Sequence, residues 1–130
     1  LVARAPEVLV KVVVTAAGED MNATVDPRFG RAENFVVVDS ETRTITEVVD
    51  NRAGIVAAQG AGVQAAEIVA RLAADCLVTG HCGPKAFRTL EAAGITVYTG
   101  ASGTVAEALE QLASGDLTHT TAPDVAGHWA

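Results

Sequence analysis

The chain has 130 residues, a formal net charge of −7 and only nine Lys and Arg. That length suits one domain, and scattered basic residues on an acidic chain argue against free nucleic acid as a partner, because phosphate binding needs a basic face. Hydrophobic residues make up 49% but aromatics only 4%, so the core must be built from Val, Ile, Leu and Ala, and no apolar run approaches the roughly 20 residues of a membrane-spanning helix.

Residues 1–9 are read as an N-terminal extension, expected to be flexible, ahead of a single domain over 10–130. Arg4, Pro6 and Glu7 interrupt the start, which lacks the basic, apolar and small-residue order of a signal peptide. The two cysteines, Cys76 and Cys82, stand six positions apart, a poor basis for a disulfide framework. A cytoplasmic location is the default expectation.

Val8–Thr15 is a nearly continuous β-branched run and reads as a central strand. A polar loop follows from Ala16 to about Glu33, with Gly18, Pro27 and Gly30. Asn34–Asp39 is a second strand and Ser40–Arg43 a turn. Thr44–Asp50 alternates polar and apolar residues, as an edge strand does. Asn51–Gln59 is a loop. Gly60 and Gly62 open a helix to about Ala73, with Val63, Ala66, Ile68, Val69 and Leu72 for its buried side. Asp75–Thr79 is a strand, Gly80–Pro84 a turn, and Lys85–Ala93 a helix stopped by Gly94. Ile95–Thr99 is the last strand, Gly100–Gly103 a turn, and Thr104–Ala113 a helix ended by Gly115. Asp116–Ala130 is polar with no clear period. The order β-β-β-α-β-α-β-α predicts an α/β fold with a five-stranded mixed sheet, order 3-2-1-4-5, under right-handed crossovers.

Three segments leave the carboxyl ends of strands: Thr15–Ala32, Gly80–Lys85 and Thr99–Thr104. Ligands of open α/β sheets gather at that edge. Helix starts there present unpaired N–H groups and partial positive charge, and glycine lets the backbone come close. Such a cup suits an anion, although tight turns alone would also need the glycines. Gln59–Ala66 matches G-x-G-x-x-A, yet a loop precedes it and no acid follows about 20 positions on, which disfavours a dinucleotide. His81 and Cys82 offer imidazole and thiol, ligands for soft or borderline metals, or an ordinary structural turn. Cys76, beside Leu77 and Val78, reads as core. Arg28 and Arg31 bring guanidinium groups that pair with multi-oxygen or multi-sulfur anions, or with Asp26 and Glu33. His119 and His128 sit in the tail, where His128 and Trp129 would form a lid if it folds back. No acid–base pair or nucleophile elbow is evident.

The runs KVVVTAAGEDMNATVDPRFGRAENFVVVD, GAGVQAAEIVA, TGHCGPKAFRTLEAAGITVYTGASGTVAEAL and APDVAGHW resemble the dinitrogenase iron–molybdenum cofactor biosynthesis family. The likeness runs from about Lys11 to Trp129. It implies a ribonuclease-H-like three-layer α/β/α domain and a role in carrying or assembling metal–sulfur cofactors without catalysis. The turn bearing His81 and Cys82 is similar to that of family members carrying a molybdenum–copper–sulfide cluster. The cofactor-binding set implied is Arg28, Phe29, Gly30, Arg31, Gly60, Gly62, Gln64, Gly80, Gly83, Ser102 and Gly103, with His81 and Cys82 toward metal. The cargo would be a molybdenum–copper–sulfide cluster or an iron–molybdenum cofactor precursor, and cofactor-assembly proteins would be the partners, with no nucleic acid and no membrane. Rival readings are a metal-free regulatory or protein-interaction module and a small-molecule enzyme using the same cup.

Overall fold

Val12, Val13 and Val14 are all buried, so β1 (Lys11–Ala16) is covered on both faces. That explains why its sequence is a continuous β-branched run rather than an alternating one. A computed structural model describes residues 11–52 and 60–120. The expectations for residues 1–9, for His128 and Trp129, and for most of the 51–59 loop lie outside the described residues.

β2 (Asn34–Asp39) and β3 (Thr44–Asp50) form an antiparallel hairpin, and β2 pairs antiparallel with β1, placing Thr15 opposite Phe35. A register shift falls between Val37 and Val38. α1 (Ala61–Arg71) then leads into β4 (Cys76–Val78), which runs parallel to β1 with Val14 opposite Val78. α2 (Pro84–Ala92) connects β4 to the parallel β5 (Thr96–Thr99). α3 (Val105–Ser114) follows, and β6 (Thr118–Thr120) returns antiparallel to β5.

The sheet order is β3-β2-β1-β4-β5-β6. The five expected strands keep their expected order, and among the described residues the strand count is corrected to six. β6 is three residues of a polar tail with no hydrophobic period. It forms because β5 offers an open edge, and His119, paired with Tyr98, sets its ring 5.5 Å from that of Tyr98.

Alternate strand residues feed two cores. Val13, Val37, Leu77 and Val97 pack with Ala65, Val69, Phe87 and Leu90 of α1 and α2. Val12, Val14, Val36, Val38 and Val78 pack with Val105, Ala108 and Leu109 of α3. The layers are therefore α/β/α, with α1 and α2 on one face and α3 on the other among the described residues. Burying Leu77 or Leu90 contributes about 1.5–3 kcal/mol each. Among the described residues no helix is long and apolar enough to cross a membrane.

Candidate functional site

The long loop after β1 is tied down before it reaches the sheet edge. Asp26 N–H donates to Thr15 O at 2.9 Å, and the Thr15 hydroxyl donates to Asp26 O at 2.7 Å. Thr15 Oγ1 also lies 2.9 Å from the hydroxyl of Thr79, at the end of β4. Both threonines are buried, so this pairing satisfies groups that would otherwise be costly to bury. The loop then runs across the turn after β4: His81 N–H donates to Pro27 O at 2.9 Å, and Phe29 N–H to His81 O at 3.4 Å. Gly80 permits the crossing, since a Cβ there would lie 2.5 Å from Pro27 Cα. Phe29 anchors the loop in the core, its ring 5.8 Å from that of Phe35.

This crossing borders an open cavity of about 700 Å³, within the size range of small-ligand sites. Arg28, Phe29 and Gly30 form one wall, Gly60, Gly62 and Val63 a second, and Gly83, Pro84, Lys85 and Ala86 a third, with His81 between. The second and third walls are the first turns of α1 and α2. Gln64 N–H makes an early intrahelical bond, to Gly60 O at 3.0 Å, and Phe87 N–H does the same to Gly83 O at 2.9 Å. At the start of α2 the Lys85 and Ala86 N–H groups come before this first intrahelical bond, as at any helix N-terminus.

Neither helix has a side-chain cap or an acid in its first turn. α3 does not line the cavity, and it has both: the Thr104 and Glu107 side chains each bond the other's backbone N–H, at 3.1 and 2.9 Å. Among the described helices, the two whose starts lack a side-chain cap are therefore the two that open on the cavity. Their N–H groups and dipoles favour an anion, and the Arg28 and Lys85 side chains add positive charge. Phe29, Val63, Pro84 and Ala86 make the rest of the wall apolar.

A family model described as dinitrogenase iron-molybdenum cofactor matches residues 10–115, a span that contains every residue lining the cavity. The chain belongs to the dinitrogenase iron-molybdenum cofactor family. The apo form of the orange protein from Desulfovibrio gigas is 43% identical, with a TM-score of 0.82, over 87% of this chain and 94% of that one. A NifB-like protein from Thermotoga is 34% identical, with a TM-score of 0.73, over 85% of this chain and 93% of its own. An uncharacterised protein of Methanocaldococcus jannaschii is 29% identical over 100 residues, which are 74% of this chain and 82% of that protein.

In this member of the dinitrogenase iron-molybdenum cofactor family, Arg28, Phe29, Gly30, Gly60, Gly62, His81 and Gly83 come together at the cavity. Six other residues singled out from sequence stand apart from its lining. Arg31 is half-buried and has its own partner. Gln64 is exposed on α1, and Gly80 packs against Pro27. Cys82 is only 1% exposed and belongs to the core beneath the cavity, its Sγ 3.7 Å from Gly83 O. Ser102 and Gly103 line a different recess, of about 500 Å³, with Glu107, Glu110, Gln111 and Asp116. There Gln111 clamps Ser102, accepting from its N–H at 3.2 Å and donating to its carbonyl at 3.0 Å.

Of the two metal-ligand candidates, His81 is the one that reaches the cavity. Among the described residues no three of His, Cys, Asp and Glu converge as a metal site. Lys85 also lines the cavity, a site role the sequence motifs alone do not assign to it. Its signal was present in GHCGPK: a lysine immediately after Gly-Pro stands in the first turn of a helix starting at the sheet edge.

Proposed function

We propose that this protein is a non-catalytic carrier of an anionic, molybdenum-containing metal–sulfur cluster, held as cargo in the cavity between the loop at Arg28 and the starts of α1 and α2. One observation carries the reading. Two helix N-termini lacking side-chain caps and first-turn acids open on one cavity with Arg28 and Lys85. The family and the likeness to the orange protein and the NifB-like protein support a cofactor-related cargo.

The donor set suits such a guest. Arg28, Lys85 and the helix-start N–H groups offset negative charge, while the apolar wall suits weakly hydrated sulfide better than a strongly hydrated oxyanion. On this reading His81 touches metal or sulfide at the cavity edge. Copper beside molybdenum, or an iron–molybdenum precursor, is the cargo class, and cofactor-assembly proteins in the cytoplasm exchange it. The ribonuclease-H-like grouping of the fold belongs to the same reading.

The test is reconstitution of apo-protein with tetrathiomolybdate and copper, followed by metal analysis and visible spectroscopy. A coloured complex of fixed stoichiometry is expected, weakened in Arg28→Ala plus Lys85→Ala. No complex, or one indifferent to both substitutions, would overturn the proposal.

A further inference from the structure

Asp26 sits next to the cavity as a buried carboxylate, 6% exposed, in a place where a negative charge works against an anion. Its oxygen does two things. Oδ1 accepts the backbone N–H of Arg28 at 3.0 Å, closing an Asx turn over Pro27. The same atom lies 3.5 Å from Arg28 Nε. Asp26 is itself fixed at its backbone N–H and carbonyl by Thr15, so the end of β1 holds Asp26 and Asp26 holds Arg28. The Arg28 side chain is 62% exposed, so the cavity wall alone does not fix it.

We propose that Asp26 is a positioning residue: it orients Arg28 through Nε and leaves the two terminal guanidinium nitrogens turned to the cargo. This rests on the carrier function proposed above. It makes a prediction of opposite sign to simple electrostatics. Removing a carboxylate near a bound anion would tighten binding on charge alone. Removing an orienting carboxylate weakens it, because a long exposed arginine must then be ordered on binding.

The experiment is a double-mutant cycle of Asp26→Asn and Arg28→Ala, read by titration with tetrathiomolybdate and copper. Asn keeps an oxygen for the Arg28 N–H and loses only the charge. Asp26→Asn is expected to weaken uptake roughly two- to fivefold, the range for an exposed ion pair, and to have no weakening effect once Arg28 is Ala. Urea midpoints of all four proteins separate folding from binding, since a merely structural role would lower the midpoint equally in both backgrounds and leave no coupling in affinity.

Unchanged or tighter uptake by Asp26→Asn, or equal weakening in both backgrounds, overturns the positioning role. If Arg28→Ala alone leaves uptake unchanged, Arg28's part in the carrier reading fails and this inference with it. If wild-type protein takes up no probe, both proposals fall.

Discussion

Gly30 and Gly62 touch backbone to backbone: a Cβ on Gly30 would lie 2.8 Å from Gly62 N and 2.9 Å from Gly62 Cα. The loop wall of the cavity therefore rests directly on the first turn of α1. Neither atom belongs to a side chain that can swing away. Gly30→Ala should cost about 1–3 kcal/mol as an overpacked contact, measured by urea unfolding. Gly83 is the control. It also lines the cavity, but a Cβ there meets nothing within 4 Å, and its φ of −73° suits any residue. Gly83→Ala should leave stability unchanged or raise it by up to about 1 kcal/mol, while its methyl narrows the cup and lowers uptake of the thiomolybdate–copper probe. Equal destabilisation by both substitutions would contradict the packing described.

The contrast between helix starts gives a second pair of outcomes. Thr104→Ala removes the α3 cap and should cost about 1 kcal/mol, with probe uptake unchanged because α3 does not line the cavity. Val63→Glu does the reverse. It places a carboxylate in the first turn of α1, where the dipole favours it by about 0.3–1 kcal/mol, and next to the cargo, where it repels. Stability should move little and uptake should collapse, with Val63→Gln retaining much of it. Uptake equal in the Glu and Gln variants would show that charge at this helix start is irrelevant.

The strand order was legible because β1, β2, β4 and β5 are short apolar runs separated by Gly, Pro and polar turns. The sheet edge of the site was legible for the same reason. Two things were not. The turn at Ser102 and Gly103 resembles the turn at Gly80 in sequence, yet α3 crosses the opposite face of the sheet from α1 and α2, and local pattern carries no record of that choice. Cys82 reads as a ligand beside His81, but neighbours in an extended segment point to opposite sides, so one reaches the cavity and the other the core. Lys85 and Val63 became site residues only when Pro27 folded onto Gly80, a contact between positions far apart in the chain.

Cys76 links the sheet to pH. Burial pushes its thiol up from 9.0 to about 12, and the Asp75 carboxylate adds to the effect. The folded state thus holds a proton that the unfolded chain releases. The sign follows directly: this contribution to stability is whole below pH 9 and is lost as pH climbs toward the folded value. Urea midpoints followed from about pH 8 to about pH 11 should fall more steeply in wild type than in Cys76→Ala. Parallel curves would mean that the thiol titrates alike in both states. In the folded protein the same thiol should react slowly with iodoacetamide near neutral pH, because thiolate is the nucleophile.

Asn51, at the end of β3 and 1% exposed, joins that strand to the cavity loop. Its Nδ2 donates to Gly30 O at 3.2 Å and to Ala32 O at 2.8 Å, and its backbone N–H donates to Glu33 O at 2.9 Å. The amide nitrogen is the working end, since Oδ1 has no partner among the described residues. Asn51→Asp keeps the shape and replaces the donor by an oxygen facing two carbonyl oxygens. It should cost more than about 2 kcal/mol and exceed the cost of Asn51→Leu, which leaves the carbonyls unpaired but brings no charge. Hydrogen exchange of the Arg28–Glu33 amides should speed up in both variants before global unfolding does. Because Gly30 bears on α1 at one side and on Asn51 at the other, loosening this bond should also weaken probe uptake, although Asn51 does not line the cavity. Uptake at wild-type strength in a folded Asn51→Leu protein would show that the wall at Gly30 is held by its contact with Gly62 alone.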